Sequence, residues 1–180
     1  MTHDRIYGKP LLTQADIQKR VRELGRRIMT DYAGKDLVMI GVLKGAFAFF
    51  ADLVRAVHLP LRVDFIVASS RSGGPKAGAA VRVFSDLTQD IEGMEVILVE
   101  DIVDSGSTAA TLRRKLMRRK PKSLALCALL DKTERRKVDV RLEYVGFKIP
   151  DKYVVGYGLD YQNKYRNLPY IAVLDTVHED

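Results

Sequence analysis

Short apolar runs that alternate with amphipathic segments are the feature that most constrains the fold of this chain. Runs at 36–43, 96–99 and 123–130 have the length and apolar character of buried strands. Between them, apolar side chains recur at helical spacing, so strands and helices follow one another. Parallel strands that are joined by helices require right-handed crossovers. The sequence therefore predicts an α/β fold in which a mostly parallel twisted sheet carries helices on both faces.

Spacing places the individual elements along the chain. Thr13 and Asp16 resemble the start of a helix. Its apolar face is predicted to carry Ile17, Val21, Leu24 and Ile28. Two further helices are expected at 47–57 and 108–119. The other strand candidates lie at 61–67, 81–84, 144–147, 153–156 and 171–174.

The chain has 180 residues, a length that suits one domain. No repeat, low-complexity tract or linker divides it. We expect a core over about 30–130 and a small hood from about 131–180 that N-terminal residues complete. The small, Gly-rich segment 69–80 between two strands predicts a mobile lid loop.

Composition indicates an ordinary globular protein with excess positive charge. Apolar residues make up 47% of the chain and charged residues 29%, which argues against disorder and coiled coil. The 30 Lys and Arg exceed the 23 Asp and Glu by seven, a balance that suits acidic ligands such as phosphates. Cys127 is the only cysteine, lies in an apolar run and is expected to be buried. With no recognisable export or membrane signal, we expect a cytoplasmic protein.

The segment 100–108 carries the chemistry. It follows a predicted strand, and open parallel sheets bind ligands outside the carboxyl ends of their strands. Ser105, Ser107 and Thr108 supply hydroxyl groups at the start of a predicted helix, where free N–H groups and the helix dipole favour a phosphate. Gly106 permits the tight turn. The segment therefore predicts a phosphate-binding loop.

Three carboxylates accompany this loop. Glu100 and Asp101 repel phosphate and suit sugar hydroxyls or hydrated Mg²⁺, whereas Asp104 is left to accept a proton. The simpler alternative is an ordinary helix start that Asp104 or Ser105 caps, with the acidic pair solvated. That alternative explains one acid and leaves the clustering of three unexplained. A Walker A loop is excluded because no segment has its order of Gly, Lys and Ser or Thr.

The segment 96–108 resembles the phosphoribosyl pyrophosphate signature of type I phosphoribosyltransferases. Further matches at 43–45, 131–133, 149–161 and 165–168 are similar to the hypoxanthine-guanine branch of that family. In order and spacing the resemblance covers nearly all of the chain. It implies a Mg²⁺-dependent transfer of 5-phosphoribosyl from its pyrophosphate to N9 of hypoxanthine or guanine, which gives IMP or GMP and pyrophosphate.

The resemblance assigns the sugar and phosphate groups to particular residues. It places the 5′-phosphate on 104–108, the ribose on Glu100 and Asp101, and Mg²⁺ on the same two acids with Asp160. Pyrophosphate is expected on Lys44, Gly45 and Arg166. The peptide between Leu43 and Lys44 is expected to be strained and cis.

The resemblance also assigns the purine contacts. It implies that Asp104 is the general base that takes the proton from purine N7. Lys132 is expected to donate a hydrogen bond to O6, which adenine lacks. Tyr153 is expected to stack on the purine ring, while the carbonyls of Val154 and Asp160 accept the guanine amine.

The family usually carries Ser-Tyr at the start of its lid, whereas this chain has Ser70 and Arg71. Arg71 is therefore expected to contact phosphate oxygens in place of aromatic cover.

Two other functions stay open at this point. Basic stretches at 113–115, 118–120 and 135–137 suit an RNA-binding attenuation regulator of the same fold, although no aromatics interleave with them. The second alternative is a phosphoribosyltransferase for xanthine or a pyrimidine. We expect small-molecule substrates and a homo-oligomer, either dimer or tetramer, and neither a membrane nor a nucleic acid as partner.

Overall fold

The computed structural model describes residues 5–6, 9–70 and 81–175. Within these ranges no helix is long and apolar enough to cross a membrane. The helices are α1 (Gln14–Tyr32), α2 (Phe47–Ala56) and α3 (Ser107–Met117), and a short 3-10 helix spans Thr133–Arg135. The strands are β1 (Arg5–Ile6), β2 (Leu37–Leu43), β3 (Leu61–Ser70), β4 (Val81–Ser85), β5 (Glu95–Val103), β6 (Ser123–Asp131), β7 (Tyr144–Lys148), β8 (Val154–Val155) and β9 (Ala172–Asp175).

Six strands form one large sheet in the order β4-β3-β2-β5-β6-β7. Strand β2 pairs in parallel with β3 and β5, and β6 pairs in parallel with β5 and β7. Only the edge strand β4 runs antiparallel to its neighbour in this sheet. The predicted α/β class and mostly parallel sheet are thereby confirmed.

A second, three-stranded sheet has the order β1-β9-β8 and is antiparallel. It joins the N-terminal strand to the end of the described chain. Strand β7 does not belong to it, because β7 pairs with β6 and widens the large sheet beyond the expected core boundary near 130. The connection between β6 and β7 contains only the short 3-10 helix. Its sequence therefore lacks the helical spacing of apolar residues that marks the earlier crossovers.

Helices cover both faces of the large sheet. Helices α1 and α2 pack on one face, where the buried side chains include Met39, Ile97 and Leu129. Helix α3 packs on the other face, against the alternate strand residues Ile40 and Leu98. Two apolar clusters therefore share the same central strands.

The predicted start and apolar face of α1 are confirmed. Thr13 Oγ1 accepts a bond from Asp16 N at 3.2 Å, and Asp16 Oδ2 accepts one from Thr13 N at 3.1 Å, which forms a capping box. The four predicted apolar residues are buried: Ile17, Val21, Leu24 and Ile28. Helix α2 begins at residue 47 as predicted, but the side chain of this residue, Phe47, is 45% exposed.

Strand β5 is longer than the apolar run 96–99 predicts. Its pairing with β6 continues through Glu100, opposite Ala128, to Val103, opposite Asp131. Glu100 and Asp101 therefore lie within the strand and not in the loop that follows it. The neighbouring residue Cys127 on β6 is buried as expected, and burial raises the pKa of its thiol.

Candidate active site

The turn between β5 and α3 depends on Gly106. Its φ of +85° lies in the left-handed region, and a Cβ at this position would lie 2.7 Å from the carbonyl oxygen of Val138. Gly106 is the N-cap of α3, and its helix start has no side-chain cap. The alternative in which Asp104 or Ser105 caps this helix is therefore wrong. Ser105 Oγ accepts only a long bond of 3.4 Å from Ser107 N.

The expected phosphate-binding residues, 104–108, come together around this turn. Ser105 Oγ lies 3.2 Å from Ser107 Oγ. The first N–H groups of α3, beginning at Ser107, have no carbonyl partner within the helix. The Ser105 carbonyl accepts bonds from Lys137 N at 2.9 Å and Val138 N at 3.1 Å, so the segment after β6 supports the turn from outside. The result is a concentration of hydroxyl and N–H donors that suits an anion.

The acidic pair of β5 lies beside this turn, in surroundings that disfavour its negative charge. Glu100 is only 5% exposed, and Oε1 has no hydrogen-bond partner within the described ranges. Burial raises the pKa of Glu100 well above its usual range, and the charge of Asp101 adds to this effect. Burial also raises the pKa of Asp101 to about 6, with Asp160 adding to the increase and Arg166 opposing it. Two carboxylates that are this poorly solvated favour a bound cation or a set of hydroxyl donors.

The loop after β2 packs directly onto these acids. The peptide between Leu43 and Lys44 is cis, as expected, and the Lys44 side chain is exposed. A Cβ on Gly45 would overlap the Asp101 carboxylate, and a Cβ on Gly158 would overlap the Gly45 carbonyl. The loop is therefore enclosed between β5 and the segment that follows β8.

Arg166 and Asp160, to which the family resemblance assigns different ligands, contact each other. Arg166 Nη2 lies 2.6 Å from Asp160 Oδ1, and Arg166 Nη1 donates to the Gly158 carbonyl at 2.7 Å. The other carboxylate oxygen of Asp160 accepts a bond from Asn163 N at 2.7 Å. This ion pair places the guanidinium next to the enclosed Gly45 loop.

The expected purine contacts lie at the ends of β6 and β8. Lys132 is buried, its N–H donates to the Val103 carbonyl at 3.0 Å, and its Nζ lies 3.6 Å from Asp151 Oδ1. Tyr153 is 52% exposed, and its hydroxyl donates to the Asp160 carbonyl at 2.9 Å. That carbonyl is thus already engaged, although a carbonyl oxygen has two lone pairs. The exposed ring leaves surface on which a planar group can stack.

Val154 keeps its carbonyl free of the β8–β9 ladder. It lies opposite Val173, while the preceding residue, Tyr153, accepts a bond from Leu174 N at 2.9 Å. Hydrogen-bonded and non-hydrogen-bonded pairs alternate in antiparallel strands. The Val154 carbonyl therefore points away from β9.

Sequence reasoning missed a cation at the centre of the site. Arg135 Nε lies 3.0 Å from Asp104 Oδ1, and Arg135 Nη1 donates to both carboxylate oxygens of Asp151 at 3.3 Å. In the sequence Arg135 is visible only as part of a basic stretch. Its position three residues after Lys132, in the turn that ends β6, is the one signal that marks it.

The side chains of the three basic stretches, 113–115, 118–120 and 135–137, are mostly ion-paired. Lys115 and Arg119 lie 2.7 and 2.8 Å from Asp86, and Arg136 forms an ion pair with Asp131. These contacts favour an ion-paired helix face over a surface that binds RNA, because their charges already have acidic partners.

The expected lid falls largely outside the described residues. Ser70 is the last residue of β3, where its backbone pairs with Val81, so the start of the expected loop belongs to a strand. Arg71 and the remaining residues up to 80 lie outside the described ranges.

The described ranges contain no cluster of three or more His, Cys, Asp or Glu side chains able to hold a metal ion by themselves. A Mg²⁺ ion needs no such cluster, since it is usually bound by one or two carboxylates together with water and substrate phosphates. Glu100, with an unpartnered buried oxygen, and Asp101 fit this mode of binding.

Comparison with known proteins shows similarity along most of the chain. Residues 9–162 match the family described as phosphoribosyl transferase domain. The chain is 50% identical to a hypoxanthine phosphoribosyltransferase of Salmonella typhimurium, over 94% of this chain and 96% of the relative. It is 46% identical to a hypoxanthine-guanine phosphoribosyltransferase of Staphylococcus aureus, over 91% and 92% of the two chains.

Solved structures show the same fold. The crystal structure of a hypoxanthine phosphoribosyltransferase from Staphylococcus aureus superposes with a TM-score of 0.90 at 45% identity, and covers 94% of this chain and 92% of that chain. The chain belongs to the phosphoribosyltransferase family, in its hypoxanthine and hypoxanthine-guanine branch.

Proposed function

We propose that this chain is a purine salvage enzyme that transfers 5-phosphoribosyl from phosphoribosyl pyrophosphate to N9 of hypoxanthine or guanine. The products are IMP or GMP and pyrophosphate. Full-length similarity to hypoxanthine phosphoribosyltransferases supports the reaction. The observation that carries it is the uncapped, hydroxyl-rich start of α3 at Gly106, next to the buried carboxylate of Glu100 and the half-buried carboxylate of Asp101 on β5.

The turn after β5 binds the 5′-phosphate. Ser105, Ser107 and Thr108 donate through their hydroxyls, and the N–H groups at the start of α3 donate through the backbone. The tight wrap at Gly106 brings both kinds of donor to one point. Glu100 and Asp101 accept from the ribose hydroxyls, which replaces part of the solvation that burial removes from these carboxylates.

The leaving pyrophosphate is bound by Lys44, by the backbone of Gly45 and by Arg166. Arg166 reaches it when its guanidinium exchanges Asp160 for phosphate oxygens, and its planar fork suits two such contacts. Mg²⁺ would be held by Glu100 and Asp101, with Asp160 in support, and when bound it would neutralise charge on the departing pyrophosphate.

The purine lies between the ends of β6 and β8. Lys132 donates to O6, a contact that the amino group of adenine cannot accept. Tyr153 stacks on the ring through its exposed face. The carbonyls of Val154 and Asp160 accept the exocyclic amine of guanine, the latter through its second lone pair.

Asp104 is the proton acceptor. As N9 of the purine forms its bond to C1 of the ribose, the bond from C1 to the pyrophosphate oxygen breaks and its electron pair leaves with pyrophosphate. The proton on N7 passes to the Asp104 carboxylate. Positive charge develops at C1 during this exchange, as in glycoside chemistry, so exclusion of water from the site protects the sugar cation.

Removal of the base tests this role. Asp104→Ala is expected to lower turnover by about 10²–10⁴ while phosphoribosyl pyrophosphate still binds, because a general base contributes a factor of this size. Steady-state kinetics and binding calorimetry measure the two effects separately. Wild-type turnover in the purified variant would remove Asp104 from the mechanism.

Nucleotide formation with five bases tests the substrate. We expect activity with hypoxanthine or guanine and none with adenine or uracil. The amino group of adenine does not accept from Lys132, and uracil has neither the N9 that attacks nor the N7 that gives up its proton. Xanthine is the fifth base of the series. If uracil or xanthine were the best substrate, the assignment to hypoxanthine and guanine would be wrong. The contacts of Arg71 and the expected homo-oligomer stay predictions.

A further inference from the structure

Among the described residues, Arg135 is the only side chain that forms an ion pair with the carboxylate of Asp104. Arg135 Nε lies 3.0 Å from Asp104 Oδ1. Its other end, Nη1, donates to both oxygens of Asp151 at 3.3 Å. The guanidinium thus joins the turn after β5 to the segment after β7.

The two oxygens of Asp104 are not equivalent. Oδ1 is buried and accepts no aligned hydrogen bond within the described ranges, so its contact with Arg135 is one of charge. The Asp104 side chain as a whole is 44% exposed. Oδ2 is therefore the oxygen that remains accessible to an incoming proton donor.

The turn that carries Arg135 is itself well anchored. Asp131, the last residue of β6, accepts a bond from Thr133 Oγ1 at 3.1 Å and a second bond from Arg136. Both donors flank Arg135 on the same short 3-10 turn. The guanidinium consequently starts from a fixed backbone, and Asp151 fixes its far end.

We propose that Arg135 is a positioning residue that orients the Asp104 carboxylate through Oδ1, so that Oδ2 faces N7 of the purine. This proposal rests on the proposed function, in which Asp104 is the general base. A carboxylate on a rotatable side chain loses effectiveness when its orientation is free, and the acid of a catalytic triad orients its histidine by a comparable contact. The role requires an arginine, because its fork spans two carboxylates and a lysine ammonium reaches only one at a time.

Substitution of Arg135 tests the proposal by kinetics. Arg135→Gln is expected to lower kcat by about 10-fold to 100-fold, the range for a misplaced catalytic group. The KM for phosphoribosyl pyrophosphate is expected to stay within about twofold, because ground-state binding of that substrate is not affected. Arg135→Lys is expected to restore only part of kcat. The control Arg141→Gln removes the same charge from a side chain that is 84% exposed and has no role in the proposed site. Its kcat and KM are expected to match those of wild type.

The decisive measurement repeats the substitution in an Asp104→Asn background. If Arg135 acts through Asp104, Arg135→Gln has no further effect there, since the group that it positions is gone. Residual turnover is measured with radiolabelled hypoxanthine. An equal loss in both backgrounds, or no loss in either, overturns the positioning role. Wild-type turnover in Asp104→Asn alone also overturns the positioning role, because Asp104 is then not the general base. Failure of the wild-type chain to form nucleotide from hypoxanthine or guanine instead overturns the proposed function.

Discussion

The two neighbouring carboxylates on β5 lower the stability of the fold and are available to bind a ligand. Burial removes solvation from Glu100 and Asp101, and the charge of Asp101 further disfavours ionisation of Glu100. The fold gains nothing from these charges in the interior of the site. They serve a ligand that supplies hydroxyl donors or positive charge, which is why stability and activity respond to them in opposite directions.

The pH dependence of stability follows from Asp101. Its pKa is about 6 in the native state against 3.8 as the ordinary value, so the unfolded chain ionises first as pH rises. The native state therefore carries a penalty that is absent below pH 4 and complete above pH 6. Without divalent cations, Asp101→Asn is expected to be more stable than wild type at pH 8 by about 1–3 kcal/mol.

Urea unfolding at pH 8, 6 and 5 measures this difference, which should shrink as pH falls. Asp139→Asn is the matched control, because Asp139 is exposed and its replacement leaves the buried pair intact. A stability gain of equal size at all three pH values would show that burial of the Asp101 charge is not its cause.

At the scale of elements, the loop after β2 and the segment after β8 are fitted to each other through their backbones. Gly158 has a φ of +104°, and its Cα faces the Gly45 carbonyl with no room for a Cβ. Gly45 in turn faces the side-chain carboxylate of Asp101, also with no room for a Cβ. A change at Gly158 therefore reaches the proposed pyrophosphate site through main-chain contact alone.

Gly158→Ala is expected to displace the Gly45 loop and to lower turnover by about tenfold or more. Gly93→Ala is the matched control. Gly93 also has a positive φ, +72°, but a Cβ there meets nothing within 4 Å. Gly93→Ala is expected to lose about 1 kcal/mol of stability to backbone strain and to keep wild-type turnover. Thermal unfolding and steady-state kinetics of both variants measure the two effects. Equal turnover in the two would mean that the backbone contact does not position the loop.

Sequence predicts these elements well where local pattern decides them. The face of α1 and the strands of the parallel core follow from apolar spacing. The extension of β5 through Glu100 and Asp101 does not, because acidic residues read as loop while pairing with β6 holds them in the strand. The contacts of Arg135 with Asp104 and Asp151 are also out of reach, since they join three segments that are distant in sequence.

At the scale of the whole molecule, one sheet supports two apolar clusters. Leu129 on β6 belongs to the cluster under α1 and α2, and Leu98 on β5 belongs to the cluster under α3. Because β5 and β6 are paired along their full length, unfolding of either cluster also disrupts the strands that carry the other cluster. The ligand-binding turn after β5 shares this foundation.

Leu98→Ala and Leu129→Ala are each expected to lower the free energy of unfolding by about 2–5 kcal/mol, since both side chains are fully buried. Both variants are expected to unfold in a single transition by circular dichroism and by loss of activity. Met117→Ala, at a side chain that is 48% exposed, is expected to cost less than about 1 kcal/mol. Separate transitions for the two probes would show that the clusters unfold independently.

The burial of Cys127 in the middle of β6 has a practical consequence. A thiol reacts as its thiolate, and this one is both inaccessible and difficult to ionise. Maleimide reagents should therefore leave the native chain unmodified. A cysteine introduced at an exposed position would carry a fluorophore or spin label alone, without prior removal of the natural one.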